Sequence, residues 1–214
     1  MSAEHPYELI VADERAADAP YTFFVPTWSE RERISVGDLV KLDFEYLWDT
    51  EEFSGERMWV EVLKKDGSSL TGALKNEPSE RGLQFDQIVE FELKNVIAIE
   101  WQEPEKHPAF EQKTTYWERC LVDQLVVDGA LPVEYVYREE PDLAQPDDKY
   151  PDSGWRLRGQ QGEATDDDME ARDVAYTALG AVLNRDDSFV HLLKQPIGSA
   201  FMRNFETGQY DREE

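Results

Sequence analysis

From Val40 to Tyr46 apolar and charged side chains alternate without a break: Val40, Leu42, Phe44 and Tyr46 on one side, Lys41, Asp43 and Glu45 on the other. Successive side chains of a strand point to opposite faces, so this stretch predicts a strand with one buried face. Met58–Leu63 predicts a second strand. Within Lys65–Ser68 the Asp66-Gly67 pair supplies the positive φ of a tight hairpin turn, and Leu70–Leu74 returns as a third strand. Pro78 ends it, because proline brings no amide to a ladder. Ile88–Leu93 and Val96–Trp101 are a fourth and fifth strand around Lys94-Asn95. Five short strands with tight turns and hardly any helix predict a small bent sheet or half-open barrel.

The rest of the chain organises around that sheet. Residues 1–20 are polar and alanine-rich, a loose lead-in with a short strand at Tyr7–Val11. The first domain then spans 21–103. Prolines at 104 and 108 among charged residues predict a linker over 104–114 and a second domain over 115–214. There, Cys120–Val127 predicts a strand paired with Val133–Tyr137, followed by a proline- and aspartate-rich loop over 139–154. Trp155–Arg158 is a short strand. Asp167 with Glu170 fits a capping box. Val174, Ala178, Ala181 and Val182 then mark the apolar face of one main helix. Asp186–Leu193 reads as a second short helix and Ile197–Phe205 as a last strand. The class is α+β, with an antiparallel sheet in the second domain and no βαβ repeat.

The 47 acidic and 22 basic side chains give a net charge of −25. Such a field repels phosphate backbones and anionic membrane surfaces, so neither nucleic acid nor membrane is the expected partner. It speeds encounter with a basic protein, or serves solubility alone. Residues 140–170 hold ten acids against three bases. The longest apolar runs fall far short of the ~20 residues that span a bilayer. The N-terminus lacks a basic start and an apolar stretch of signal length. The one cysteine, Cys120, forms no internal disulfide. These features predict a soluble, cytoplasmic protein in a reducing compartment.

Several blocks resemble known families. Val36–Lys41, Glu56–Val62, Leu70–Pro78 and Val89–Phe91 resemble a bacterial family known as domain of unknown function 2314. That family carries Gly-Asp before its last strand, where this chain has Phe85-Asp86, so a different turn is expected there. Tyr137–Pro141, Asp152–Arg156 and Pro196–Phe201 resemble the immunity protein 33 family, earlier domain of unknown function 2185. The resemblance covers about residues 117–205. It implies an α+β protein that binds and neutralises a cognate bacterial toxin, with no catalytic residues to carry over.

The residues themselves offer little catalytic chemistry. His5, His107 and His191 stand far apart without ligand spacing, so no metal or other cofactor is expected. Asp166–Glu170 lacks the glycine and glutamate of a calcium loop and reads as a helix start. Gly67 and Gly72 have the outer spacing of a phosphate loop, but Ala73-Leu74 replace its Lys-Ser/Thr pair. Cys120, among apolar neighbours, reads as a small buried hydrophobe. In Asp152–Arg158, alternation sets Trp155 and Leu157 against Arg156 and Arg158. The two arginines bind an anion or a partner's carboxylate, or pair internally with the acidic loop, which is the favoured reading. Trp59, Trp101 and Trp155 read as core. Trp28 and Trp48 flank loops and, with Asp147, Asp148, Asp166 and Asp168, complete the candidate partner-binding set. The expected function is therefore non-enzymatic binding of a basic protein. The competing reading is an enzyme that uses carboxylate acid–base groups on a small molecule or carbohydrate.

Overall fold

The alternating stretches of the first half close into one curled antiparallel sheet, in this computed structural model that describes residues 6–143 and 147–213. Residues 1–5 with His5, positions 144–146 of the acidic loop, and Glu214 lie outside the described residues. The chain divides into two compact units, Met1–Asp18 with Phe23–Lys113, and Ala19–Thr22 with Thr114–Glu214.

The first unit contains strand β1 (Tyr7–Leu9), helices α1 (Ala12–Asp18) and α2 (Trp28–Arg31), and strands β2 (Leu39–Tyr46), β3 (Gly55–Asp66), β4 (Ser69–Leu74), β5 (Ile88–Glu92) and β6 (Ala98–Glu100). The sheet runs β1-β2-β3-β4-β5, and β6 also pairs with β2. Val40, Leu42, Phe44 and Tyr46 are buried as alternation requires, facing Val60, Val62 and Met58 in one apolar cluster. The lead-in segment Tyr7–Leu9 joins this half-barrel, pairing in register with Phe44–Tyr46. β3 bulges between Val62 and Lys64, and Leu63, on the outer face with Trp59 and Glu61, is exposed. Gly67 turns the hairpin at φ +61°, and Asp86 takes the same left-handed conformation in the turn that departs from Gly-Asp. Trp59 is a correction. Its neighbours Met58 and Val60 face in, so Trp59 stands on the outer face, half-buried under the Lys41 ammonium 4.6 Å from its ring.

The second unit contains strand β7 (Arg119–Asp123), helix α3 (Gln124–Val127), strands β8 (Val133–Arg138) and β9 (Asp152–Gly159), helix α4 (Asp166–Glu170), strand β10 (Val174–Ala178), helix α5 (Leu179–Leu183), and strands β11 (Ala200–Arg203) and β12 (Tyr210–Arg212). Its sheet runs β10-β7-β9-β8-β11-β12. β7 and β9 are parallel and all other pairs antiparallel, so the sheet is mixed rather than antiparallel, and β9 separates β7 from β8. The expected main helix over 167–183 is replaced by α4, β10 and α5. Val174, Tyr176 and Thr177 are β-branched or aromatic, and they pair along β7 with Val174 left 53 % exposed. The cap also moves: Thr165, not Asp167, is the N-cap, and its partner three residues on is Asp168. Asp186–Leu193 holds only a single 3-10 turn, Val190–Leu192.

One face of this sheet packs Val122, Val136, Trp155, Leu157 and Phe201 against α3, α5 and the Val190–Leu192 turn. Residues 19–22 are fastened to the same unit. The Tyr21 amide donates to Asn184 Oδ1 at 2.9 Å, Asn184 Nδ2 donates to Thr22 Oγ1 at 2.7 Å, and the Tyr21 hydroxyl donates to Asp187 at 2.8 Å. Among the described residues no helix is long and apolar enough to cross a membrane.

Candidate functional site

The Asp152–Arg158 stretch lies along β9, the third strand of six. Gly154 has φ +79°, and a Cβ there would fall 2.1 Å from the Glu139 carbonyl oxygen, so only glycine lets the two segments meet. The Glu139 amide donates to the Gly154 carbonyl at 3.0 Å, the Arg138 amide to Ser199 and the Gly198 amide to Arg138. The three blocks that resemble the immunity protein 33 family, distant in sequence, are thus hydrogen-bonded neighbours.

Arg156 sits at their junction, 2 % exposed. Two nitrogens meet both Asp152 oxygens at 2.9 Å, Nε reaches Glu139 at 2.5 Å, and Nη2 reaches Asp142 at 3.0 Å. The Trp155 carbonyl takes the remaining donor. Burial pushes the Asp152 carboxyl upward, but the hydrogen bonds from Arg156 and from the Gly154 amide outweigh it and hold the group below its usual range. Arg156 is held above its ordinary value, first by the Asp152 hydrogen bond. Arg158 lies one step along, its Nε 2.9 Å from the buried Asp123 and its Nη2 donating to the Met169 carbonyl. Arg172 joins Asp123 at 3.1 Å, and the Gly159 amide donates to the same carboxylate at 2.9 Å. The Arg156 guanidinium is therefore fully occupied within the fold, and Arg158 is engaged by Asp123 and the Met169 carbonyl.

The other candidates are dispersed. Asp147 and Asp148 are exposed in the acidic loop, and Asp166 and Asp168 are exposed on α4. The Asp168 carboxylate accepts from the Thr165 amide and hydroxyl, which lowers its pKa. Trp28 and Trp48 belong to the first unit. Trp28 is 49 % exposed, with Nε1 donating to Glu32. Trp48 is half-buried, 4.2 Å from the Tyr46 ring and packed on the core.

A groove that sequence reasoning missed opens on the sheet face opposite the core. It measures about 450 Å³ and is floored by Tyr135, Tyr137, Met169 and Met202. The register sets Tyr135 beside both Arg158 and Met202. The alternation of Tyr135 and Tyr137 about Val136 was the available signal, but two tyrosines on one strand face do not by themselves distinguish a groove from a covered surface.

Two carboxylates of the first unit, Glu56 and Glu80, are held below their ordinary range. Glu80 accepts the amides of Phe53, Glu52 and Glu51. Burial raises Glu56, but the Tyr46 hydroxyl and the Ser79 and Glu80 amides bring it below its ordinary value. A general acid needs the opposite shift. Burial pushes the Cys120 thiol up to about 12, which keeps it protonated and inert. Among the described residues no group of three or more His, Cys, Asp or Glu side chains is placed to hold a metal ion.

These features define a two-domain α+β chain whose second domain is built around a buried arginine–carboxylate cluster. Residues 7–103 match the family model described as an uncharacterized protein conserved in bacteria, DUF2314, and residues 120–214 match the immunity protein Imm33 domain. The chain thus joins a DUF2314 domain to an Imm33 domain. Comparison with curated proteins and with solved structures gave no match.

Proposed function

We propose that this protein is an immunity-type binder: its second unit captures a cognate toxin, a basic protein, and neutralises it. The match of residues 120–214 to the immunity domain carries the reading. The charge layout supports it. Residues 114–214 contain 22 acidic and 10 basic side chains. Many of the bases are turned inward: Arg156, Arg158 and Arg172 onto buried carboxylates, Arg203 onto Asp186, and Arg138 onto the Ser153 and Gln195 carbonyls. The surface is therefore more acidic than the composition, and such a field accelerates docking of a positive partner.

The test is capture from lysate of the native host at low and at high salt, followed by expression of each captured protein alone and with this chain. The reading expects a basic partner, released by salt, that arrests growth alone and not in company. Captured proteins no more basic than the host average, bound equally at both salt concentrations, would make the acidity a solubility device. A partner without toxicity would remove the immunity role.

A further inference from the structure

We propose that the groove on the open face of the second sheet is the docking surface, and that its occupant is a basic, partly apolar segment of a partner protein. For the partner's identity this rests on the immunity-type reading. The groove itself stands on geometry.

The core side of the sheet is covered by α3 and α5. On the other side, Tyr135 and Tyr137 of β8, Met202 of β11 and Met169 of α4 give the groove an apolar lining, with Met202 39 % exposed. The two tyrosine rings lie 5.5 Å apart. Glu134, Asp166 and Glu170 stand on its rim. The single cation in the lining, Arg158, is already held by Asp123 and the Met169 carbonyl. An apolar floor beneath a carboxylate rim matches the arginine or lysine side chain, a hydrocarbon stem with a cationic tip. The ring faces add attraction for the cation, and the thioethers adapt to its stem. An acidic peptide or a phosphate would instead meet the rim carboxylates.

The methionines allow a direct test on the intact chain. There are four, Met1, Met58, Met169 and Met202. Met169 and Met202 line the groove, while Met58 is buried in the first unit's core. With methyl-labelled methionine, titration with a short arginine–leucine peptide should move the Met169 and Met202 signals and leave Met58 still. A glutamate–leucine peptide should move none. The triple change Glu134→Gln, Asp166→Asn, Glu170→Gln should weaken binding about tenfold. The same change of charge at exposed Glu45, Glu90 and Glu105 of the first unit should leave it within about twofold. Met202→Lys, at an exposed position of β11, should abolish the Met169 shift and leave the urea midpoint of the second unit nearly unchanged. Static groove methyls, equal shifts with the acidic peptide, or equal weakening by the control set would overturn the proposal. Failure of the two readings is separable. A toxin whose capture ignores Met202→Lys sinks the groove and spares the immunity role. Peptide binding in the groove by a chain that protects against no toxin does the reverse.

Discussion

β2 and β9 hold corresponding places in the two units, each paired on both edges and each lined with core residues, yet they are built on different terms. β2 alternates strictly between buried and more exposed positions, because one face meets an apolar core and the other meets solvent. β9 is buried at every position from Asp152 to Leu157. Its second face carries charge: Arg156 is closed under Asp152, Glu139 and Asp142, and Arg158, partly exposed, pairs with Asp123. The two units carry almost the same charge, with 25 acids and 12 bases in residues 1–113 against 22 and 10 in 114–214. Among the described residues the first unit holds one arginine fully buried, Arg31, paired with Asp13 and carried on α2 rather than on its sheet. The second places its ion pairs on a central strand. An apolar face needs only burial, whereas a buried ion pair needs every lone pair and proton matched.

The strongest way to break this comparison is to remove one member of the cluster. Arg156→Ala leaves Asp152 buried without its counterion and should destabilise the second unit by about 3–5 kcal/mol. Urea unfolding followed at the Met202 methyl should show the loss, with Met58 as the reporter of the first unit. The double change Arg156→Met with Asp152→Leu should recover much of it, since paired apolar residues carry no orphaned charge. Acidity separates the two cases further. Asp152 is lowered in the fold from 3.8, so its contribution is complete above that value and is lost as pH falls through the lower folded value. The double variant should flatten this acid limb. Phe44→Ala in the first unit, a cavity costing about 3–5 kcal/mol, should leave the shape of the acid limb unchanged. An acid limb identical in wild type and double variant would sink the account of β9.

A smaller effect tests the membership of residues 19–22. Asn184→Ala strips the Tyr21 amide and the Thr22 hydroxyl of their partner and should cost the second unit about 1–3 kcal/mol. A fragment of residues 114–214 should show the same loss in wild-type sequence and be indifferent to Asn184→Ala. The smallest effect concerns the cap. Thr165→Ala should cost about 0.5–2 kcal/mol, and Asp167→Ala should fall within about 0.5 kcal/mol of wild type, as measured by thermal unfolding. The reverse order would restore Asp167 as the cap.

The same contrast explains what was legible in the sequence. β2, the Asp66-Gly67 hairpin and the buried Trp155 follow from alternation and turn chemistry, which act locally. The helix expected over 167–183 fails because a short apolar run fits either period. Only the pairing of Val174–Ala178 with β7, about fifty residues earlier in the chain, decides it. Trp59 fails for a simpler reason, since membership of a strand does not say which face a side chain takes. For the arginines of β9, alternation placed them on one face. The Arg156 partners Glu139 and Asp142 come from a loop whose course no local pattern determines.

The four residues that fasten to the second unit ahead of the rest have a consequence in time. Tyr21 leaves the ribosome 163 residues before its partner Asn184. At an elongation rate of about 5–20 residues per second that interval is on the order of 10–30 s, during which the whole first sheet is synthesised and can fold. Tyr21 and Thr22 must wait through that interval with their polar groups turned to water. The second unit is therefore complete only after Asn184 has emerged, and a ribosome stalled before that point holds a finished half-barrel and a second unit that lacks its last lock.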